Sequence, residues 1–219
     1  MKDSRTYGQK IRKLFHSREQ KYAKVKKIDF DDPAYALVYA IISERTRAST
    51  AKTIMRKIEG HFVDLNDLRV ARTEEILDIL GTSGEDSRKT ASVLMQVLTS
   101  INNRYNMVSL TKLREGGKRQ ARKQLEKIDG LSRFALNYCV LTALHGHSIP
   151  LTPKMIEYLK YAELVHPDAT DDEIQGFLER QITADNGYQF YSLLRQQSEK
   201  TRRARVAAKK AKRPAKKTQ

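Results

Sequence analysis

Apolar residues recur along this chain at spacings of three and four, the period of helices packed on one side, and no stretch alternates as a half-buried strand would. Tyr7, Ile11, Leu14, Phe15, Tyr22 and Val25 form such a stripe within residues 1–27, predicting an amphipathic first helix with its lysines and arginines on the other faces. Asp32-Pro33 is a helix opening, a capping carboxylate followed by proline in the first turn. Residues 34–44 behind it are apolar almost all round, predicting a buried helix. Helices over 49–59 and 73–80 are expected to stop at Gly60 and Gly81, the glycine signal of a C-terminus. Leu94, Val97, Leu98 and Ile101 give one helical face in 87–104, and a basic helix follows over about 116–127. After the turn Asp129-Gly130-Leu131-Ser132 comes an apolar run over 135–144. Thr152-Pro153 opens a helix to about residue 165. Thr170 with Glu173 has the spacing of a capping box, backed by Ile174, Phe177, Leu178 and Ile182, and a last helix is expected over 187–197. There is no internal repeat. The pattern predicts an all-α protein with short connections.

Composition narrows what such a protein does. The chain has 219 residues, 39% of them hydrophobic, enough for one compact domain or two small ones. A single Cys excludes an internal disulfide framework, a four-Cys zinc site and a Cys-ligated iron–sulfur cluster. No apolar run reaches the roughly 18 residues of a membrane span, and the charged N-terminus lacks a secretory apolar core. The expectation is a soluble intracellular protein, cytoplasmic or associated with the nucleoid or nucleus, with no membrane partner. Its net charge of +16 points to a polyanion, most simply nucleic acid.

The charge is unevenly placed. Residues 1–27 hold ten Lys and Arg against two acids, and residues 200–219 hold ten and none, which leaves 28–199 at −2. The last segment carries Lys200, Arg202, Arg203, Arg205, Lys209, Lys210, Lys212, Arg213, Lys216 and Lys217 among alanines, with Val206 its one large apolar residue. It has too little apolar surface to offset ordering, so disorder is expected over 200–219. Its composition is similar to the Lys/Ala/Pro tails of linker histones. It suits a salt-sensitive tether to phosphates or a solubilising or targeting tail.

The most informative segment is Leu125-Glu126-Lys127-Ile128-Asp129-Gly130-Leu131-Ser132-Arg133-Phe134-Ala135. One helix ends at Ile128, and the next starts after a tight turn in which Gly130 permits a positive φ. The amides of residues 130–133 would then point out from a helix N-terminus, where they can donate to a phosphate oxygen, and Arg133 can add a charge-assisted contact. Such groups position a duplex without reading its bases. A plain hairpin in a core has the same local pattern.

Ile-Asp-Gly-Leu-Ser-Arg resembles a helix-hairpin-helix, and the surrounding chain resembles the endonuclease III-like DNA glycosylases of the helix-hairpin-helix–GPD superfamily. Asp32-Pro33 through Ser43 is similar to the family's early buried helix. Leu80-Gly81 with Ser87-Arg88-Lys89 resembles its Ile-Gly…Ser-Lys stretch, and residues 125–165 lie on the family pattern without a gap. The resemblance covers about 1–198. It implies a six-helix domain over 33–148 and a second helical domain of 1–32 with 149–199, damaged bases being flipped into the cleft between them. A disordered tail over 200–219 completes the organisation.

The resemblance also implies an emptied active site. In family members that cut the strand, a Lys just after the hairpin attacks the sugar anomeric carbon, and an Asp at the start of a later helix stabilises positive charge on the sugar. Those positions match Phe134 and Thr152. Members that only excise the base also lack the Lys, so loss of the Asp is the graver departure. The Cys cluster that would follow residue 190 is absent, which implies no iron–sulfur cofactor. Arg45 matches the position where the family inserts a Gln into the gap left by a flipped base; it could fill that gap or bind phosphate. Lys127, Lys154, Asp129 and Glu157 are substitutes to weigh for catalysis. Cys139 sits in an apolar run and is expected in the core. His145 and His147 have no third ligand nearby, so no metal site is expected.

The leading reading is a monomeric, catalytically inactive protein that binds double-stranded DNA through Gly130, Leu131, Ser132 and Arg133, with Arg45, Lys127 and the basic tail as further contacts. An active base-excision glycosylase with relocated catalytic residues is the first alternative. A basic structural protein that binds RNA or chromatin is the second.

Overall fold

The computed structural model describes residues 3–19 and 25–211, with side chains through Thr201. Among the described residues are eleven α-helices, two 3-10 turns and no strand. The helices are α1 (Ser4–Glu19), α2 (Pro33–Arg45), α3 (Ala48–His61), α4 (Leu65–Val70), α5 (Thr73–Leu80), α6 (Glu85–Tyr105), α7 (Lys118–Leu125), α8 (Arg133–Thr142), α9 (Pro153–Tyr161), α10 (Asp171–Gln181) and α11 (Gly187–Ala211). No described helix is long and apolar enough to cross a membrane.

The chain divides into two compact units. The larger comprises Lys26–Pro150 with Thr183–Tyr188. At its centre lies α2, which is buried from Pro33 to Ser43 save for the half-buried Tyr35, as its unbroken apolar run requires, and which packs against α3, α6 and α8. Asp32 caps it, accepting from Ala34 N at 2.8 Å, and the same Oδ1 accepts from Leu110 N at 2.9 Å. One carboxylate thus starts the helix and ties down the loop before the 3-10 turn Thr111–Arg114. Helix α5 ends where Gly81 turns left-handed at φ 74°.

The smaller unit comprises Met1–Val25, Leu151–Ile182 and Gln189–Gln219. Helix α1 packs on α10. Ile11 is fully buried there, Phe15 meets the Phe190 ring edge-on at 5.7 Å, and the Arg12 guanidinium donates to the Gln181 amide oxygen. The capping box is present, with Thr170 Oγ1 accepting from Glu173 N and the Glu173 carboxylate accepting from Thr170 N.

Several boundaries differ from the sequence pattern. Helix α1 ends at Glu19, and Val25 lies beyond it in irregular backbone, so the apolar spacing overran the helix; Tyr22 lies outside the described residues. The short α4 and the 3-10 turn Thr111–Arg114 went unpredicted because six and four residues hold too few turns to show a period. Helix α9 stops at Tyr161 rather than near 165, and the chain then passes through a left-handed Glu163 at φ 52° with no glycine to mark it. Helix α11 runs to Ala211 rather than 197, so residues 200–211, expected to be disordered, have a helical backbone. Ala, Lys and Arg are strong helix formers, and adding residues to an existing helix avoids the cost of nucleation. That backbone carries Arg202, Arg203, Arg205, Lys209 and Lys210; Lys212, Arg213, Lys216 and Lys217 lie outside the described residues.

Candidate nucleic-acid interface

The hairpin joins α7 to α8. Ile128 N donates to Leu125 O at 3.0 Å and Leu131 N to Ile128 O at 3.4 Å, closing the turn, and Gly130 sits at φ 79°. Helix α6 holds the turn from the side. Gln96, Ser100 and Arg104 stand four residues apart on that helix. Arg104 Nη2 donates to the Lys127 carbonyl at 3.0 Å, Ser100 Oγ accepts from Asp129 N at 3.0 Å, and a Cβ added at Gly130 would lie 2.7 Å from Gln96 Cδ. Ser132 caps α8: its Oγ accepts from Ala135 N at 3.1 Å and donates to Glu44 Oε2 at 2.8 Å.

Sequence reasoning offered the amides of 130–133 together. The structure narrows that set, because the Leu131 N–H is spent inside the turn. The Gly130 and Ser132 amides meet no acceptor among the described residues; Gly130 is exposed and Ser132 half-buried. The Arg133 side chain is exposed at the start of α8, and Lys127 is exposed on the approach to the turn. Arg45, the last residue of α2, is exposed and forms an ion pair with Asp86 at 3.6 Å.

Gln96, Ser100, Arg104 and Glu44 were missed. The first three were legible in part, as a polar row at i, i+4 and i+8 beside the apolar stripe of α6. Glu44 follows the buried run of α2 and gives no signal of its hydroxyl partner.

Phe134 is 3% exposed. Its ring lies 6.0 Å from Tyr138, which stacks on Tyr39 at 5.4 Å, with Phe30 completing the group at 6.0 Å from Tyr39. A phenyl ring locked among other rings offers no nucleophile. Thr152 belongs to the smaller unit and is buried, and its Oγ1 accepts from Met155 N at 3.3 Å as the cap of α9.

Of the substitute residues, Asp129 is exposed in the turn, and Lys154 and Glu157 are half-buried and exposed on α9. Cys139 is fully buried with Sγ 3.6 Å from the Pro33 carbonyl, and burial pushes its thiol far above the usual range. One buried thiol does not fit the four-Cys ligation of an iron–sulfur cluster. His145 Nδ1 faces Lys27 Nζ at 2.8 Å. Burial, then Lys27, lowers its pKa from the ordinary value, with Arg114 and Lys118 adding to the effect and Asp29 opposing it. Among the described residues, no three His, Cys, Asp or Glu side chains come together to hold a metal.

No protein-family model matches the chain, and no curated protein matches its sequence. Solved structures do match. Endonuclease III trapped as a covalent intermediate with DNA aligns with a TM-score of 0.64 at 15% identity, over 85% of this chain and 84% of that one. The 8-oxoguanine glycosylase/lyase of Clostridium acetobutylicum, in complex with double-stranded DNA, aligns at 0.67 and 14%, over 91% and 71%. The 3-methyladenine DNA glycosylase of H. pylori, bound to 1,N6-ethenoadenine, aligns at 0.64 and 14%, over 89% and 98%. The chain has the all-α helix-hairpin-helix fold of these DNA glycosylases.

Proposed function

We propose that this protein binds duplex DNA through its hairpin and does not excise bases by the mechanism of the glycosylases whose fold it shares. One observation carries the reading: a hairpin whose Gly130 and Ser132 amides meet no acceptor among the described residues is followed by Phe134, a buried ring where the resemblance places the attacking lysine. Thr152 supports it. Its hydroxyl is neutral and engaged as a helix cap, so it supplies no carboxylate charge to an oxocarbenium-like sugar. The hairpin amides, Arg133 and Lys127 would contact the sugar–phosphate backbone, which fixes register without reading sequence. The basic segment 200–219 would add general affinity. On this reading the protein acts as a monomer inside the cell and holds no iron–sulfur cluster.

Two measurements on the full chain test it. Duplexes carrying a panel of base lesions, incubated with the protein and treated with alkali, should show no strand scission above background. Scission on any lesion would establish a glycosylase with relocated catalytic groups. The same duplexes, fluorescently labelled, should bind with salt-dependent affinity. Preference for structured RNA over duplex DNA would replace this reading with that of an RNA-binding protein.

A further inference from the structure

We infer that the outer face of α7 is a second phosphate-backbone site, which takes the strand onward from the hairpin along the helix; this rests on the duplex binding proposed above. The inner face of α7 is apolar, with Ala121 and Leu125 buried, and Ile128 continues that face into the turn. The outer face borders a surface groove of about 760 Å³ that Lys118, Arg119, Lys123 and Lys127 line together with Gly117 and two glutamines, and no carboxylate is among its lining residues. Arg122 is not part of this set, because it is turned to Glu126 and to the Asn137 side-chain oxygen.

Beyond Lys118, further basic side chains gather around His145. Lys27 Nζ lies 2.8 Å from His145 Nδ1. Arg114, whose guanidinium donates to the Phe30 carbonyl, and Lys118 both act on His145. Burial holds the Lys27 ammonium below its usual proton affinity; Asp29 opposes this, and Lys118 adds a smaller lowering. A phosphate placed among Lys27, Arg114 and Lys118 would be attracted by all three. Lys118 belongs to both sets, so it links the basic side chains near Lys27 to those of the groove. An eight-residue helix spans about 12 Å, the axial rise of roughly three to four phosphates on one strand. The spacing of cations along α7 therefore suits a phosphodiester chain better than a single small anion.

The test uses the full chain and a labelled duplex titrated over a range of salt. Lys118→Gln/Arg119→Gln/Lys123→Gln, which leaves the hairpin contact Lys127 in place, should bind more weakly by tenfold or more, with the slope of log K against log salt shallower by about 2.5. These side chains are exposed, and circular dichroism verifies that helicity is kept. Lys27→Gln/His145→Gln, beyond Lys118, should also flatten the slope. If the wild-type chain binds duplex and both variants keep its affinity and slope, the second site is overturned while the hairpin reading stands. If the wild-type chain fails to bind duplex, the proposed function falls, and this inference with it.

Discussion

Gly130 shows how much a single position decides. Two effects oppose a side chain there. The backbone is left-handed at φ 79°, and an added Cβ would meet Gln96 Cδ at 2.7 Å. The contact is the weaker effect, because the end of a glutamine can swing aside, whereas the dihedral is fixed by the turn. Left-handed backbone at a non-glycine residue costs on the order of 1–3 kcal/mol. Gly130→Ala is therefore expected to lower unfolding stability by about that amount, measured by urea denaturation. Gly130→Ala/Gln96→Ala should recover only a minor part. Full recovery in the double variant would show that crowding, not the dihedral, demands glycine. The turn itself was legible from Ile-Asp-Gly-Leu-Ser-Arg. Its neighbour Gln96 was not, because a contact between distant helices leaves no local pattern.

At the scale of elements, caps were legible where residue identity alone specifies them and obscure where tertiary contacts do. Thr170 with Glu173 and the glycine stop at Gly81 are local chemistry, and both are found. The end of α9 at Tyr161 depends on Glu163 adopting a left-handed turn, which no residue type announces. Asp32 shows both cases at once. Its capping of α2 is readable from Asp-Pro, but its bond to the Leu110 amide joins segments far apart in sequence. The two tasks make Asp32→Ala costly. A lost N-cap is worth about 1 kcal/mol, and a buried amide left without an acceptor about 1–3 kcal/mol more. Asp32→Asn keeps an acceptor oxygen for both donors and is expected to cost less than about 1 kcal/mol. Thermal unfolding of the two variants checks this. Equal losses would mean that charge, rather than hydrogen bonding, holds the joint.

At the scale of the molecule, a net charge of +16 invites a picture of a uniformly basic nucleic-acid binder, and the distribution refutes it. Residues 28–199 sum to −2, so on the proposed function the folded body binds DNA through local devices, while 200–219 hold ten Lys and Arg and no acid. That division was legible by counting. Invisible to counting were the return of Thr183–Tyr188 to the larger unit and the extension of α11 into the basic segment. The two sources of affinity should be separable. Deleting 200–219 removes a sequence-independent electrostatic contribution. If half its cations meet phosphates, the slope of log K against log salt should flatten by about 4 to 5. The hairpin contribution should persist unchanged in the shortened chain. Gly130→Ala should therefore weaken duplex binding by the same factor with and without 200–219, as independent sites do. An unchanged slope on deletion would remove the tail from the interface. A factor that differed between the two backgrounds would mean that the tail and the hairpin act on one step, with the tail delivering the strand to the turn rather than holding DNA on its own.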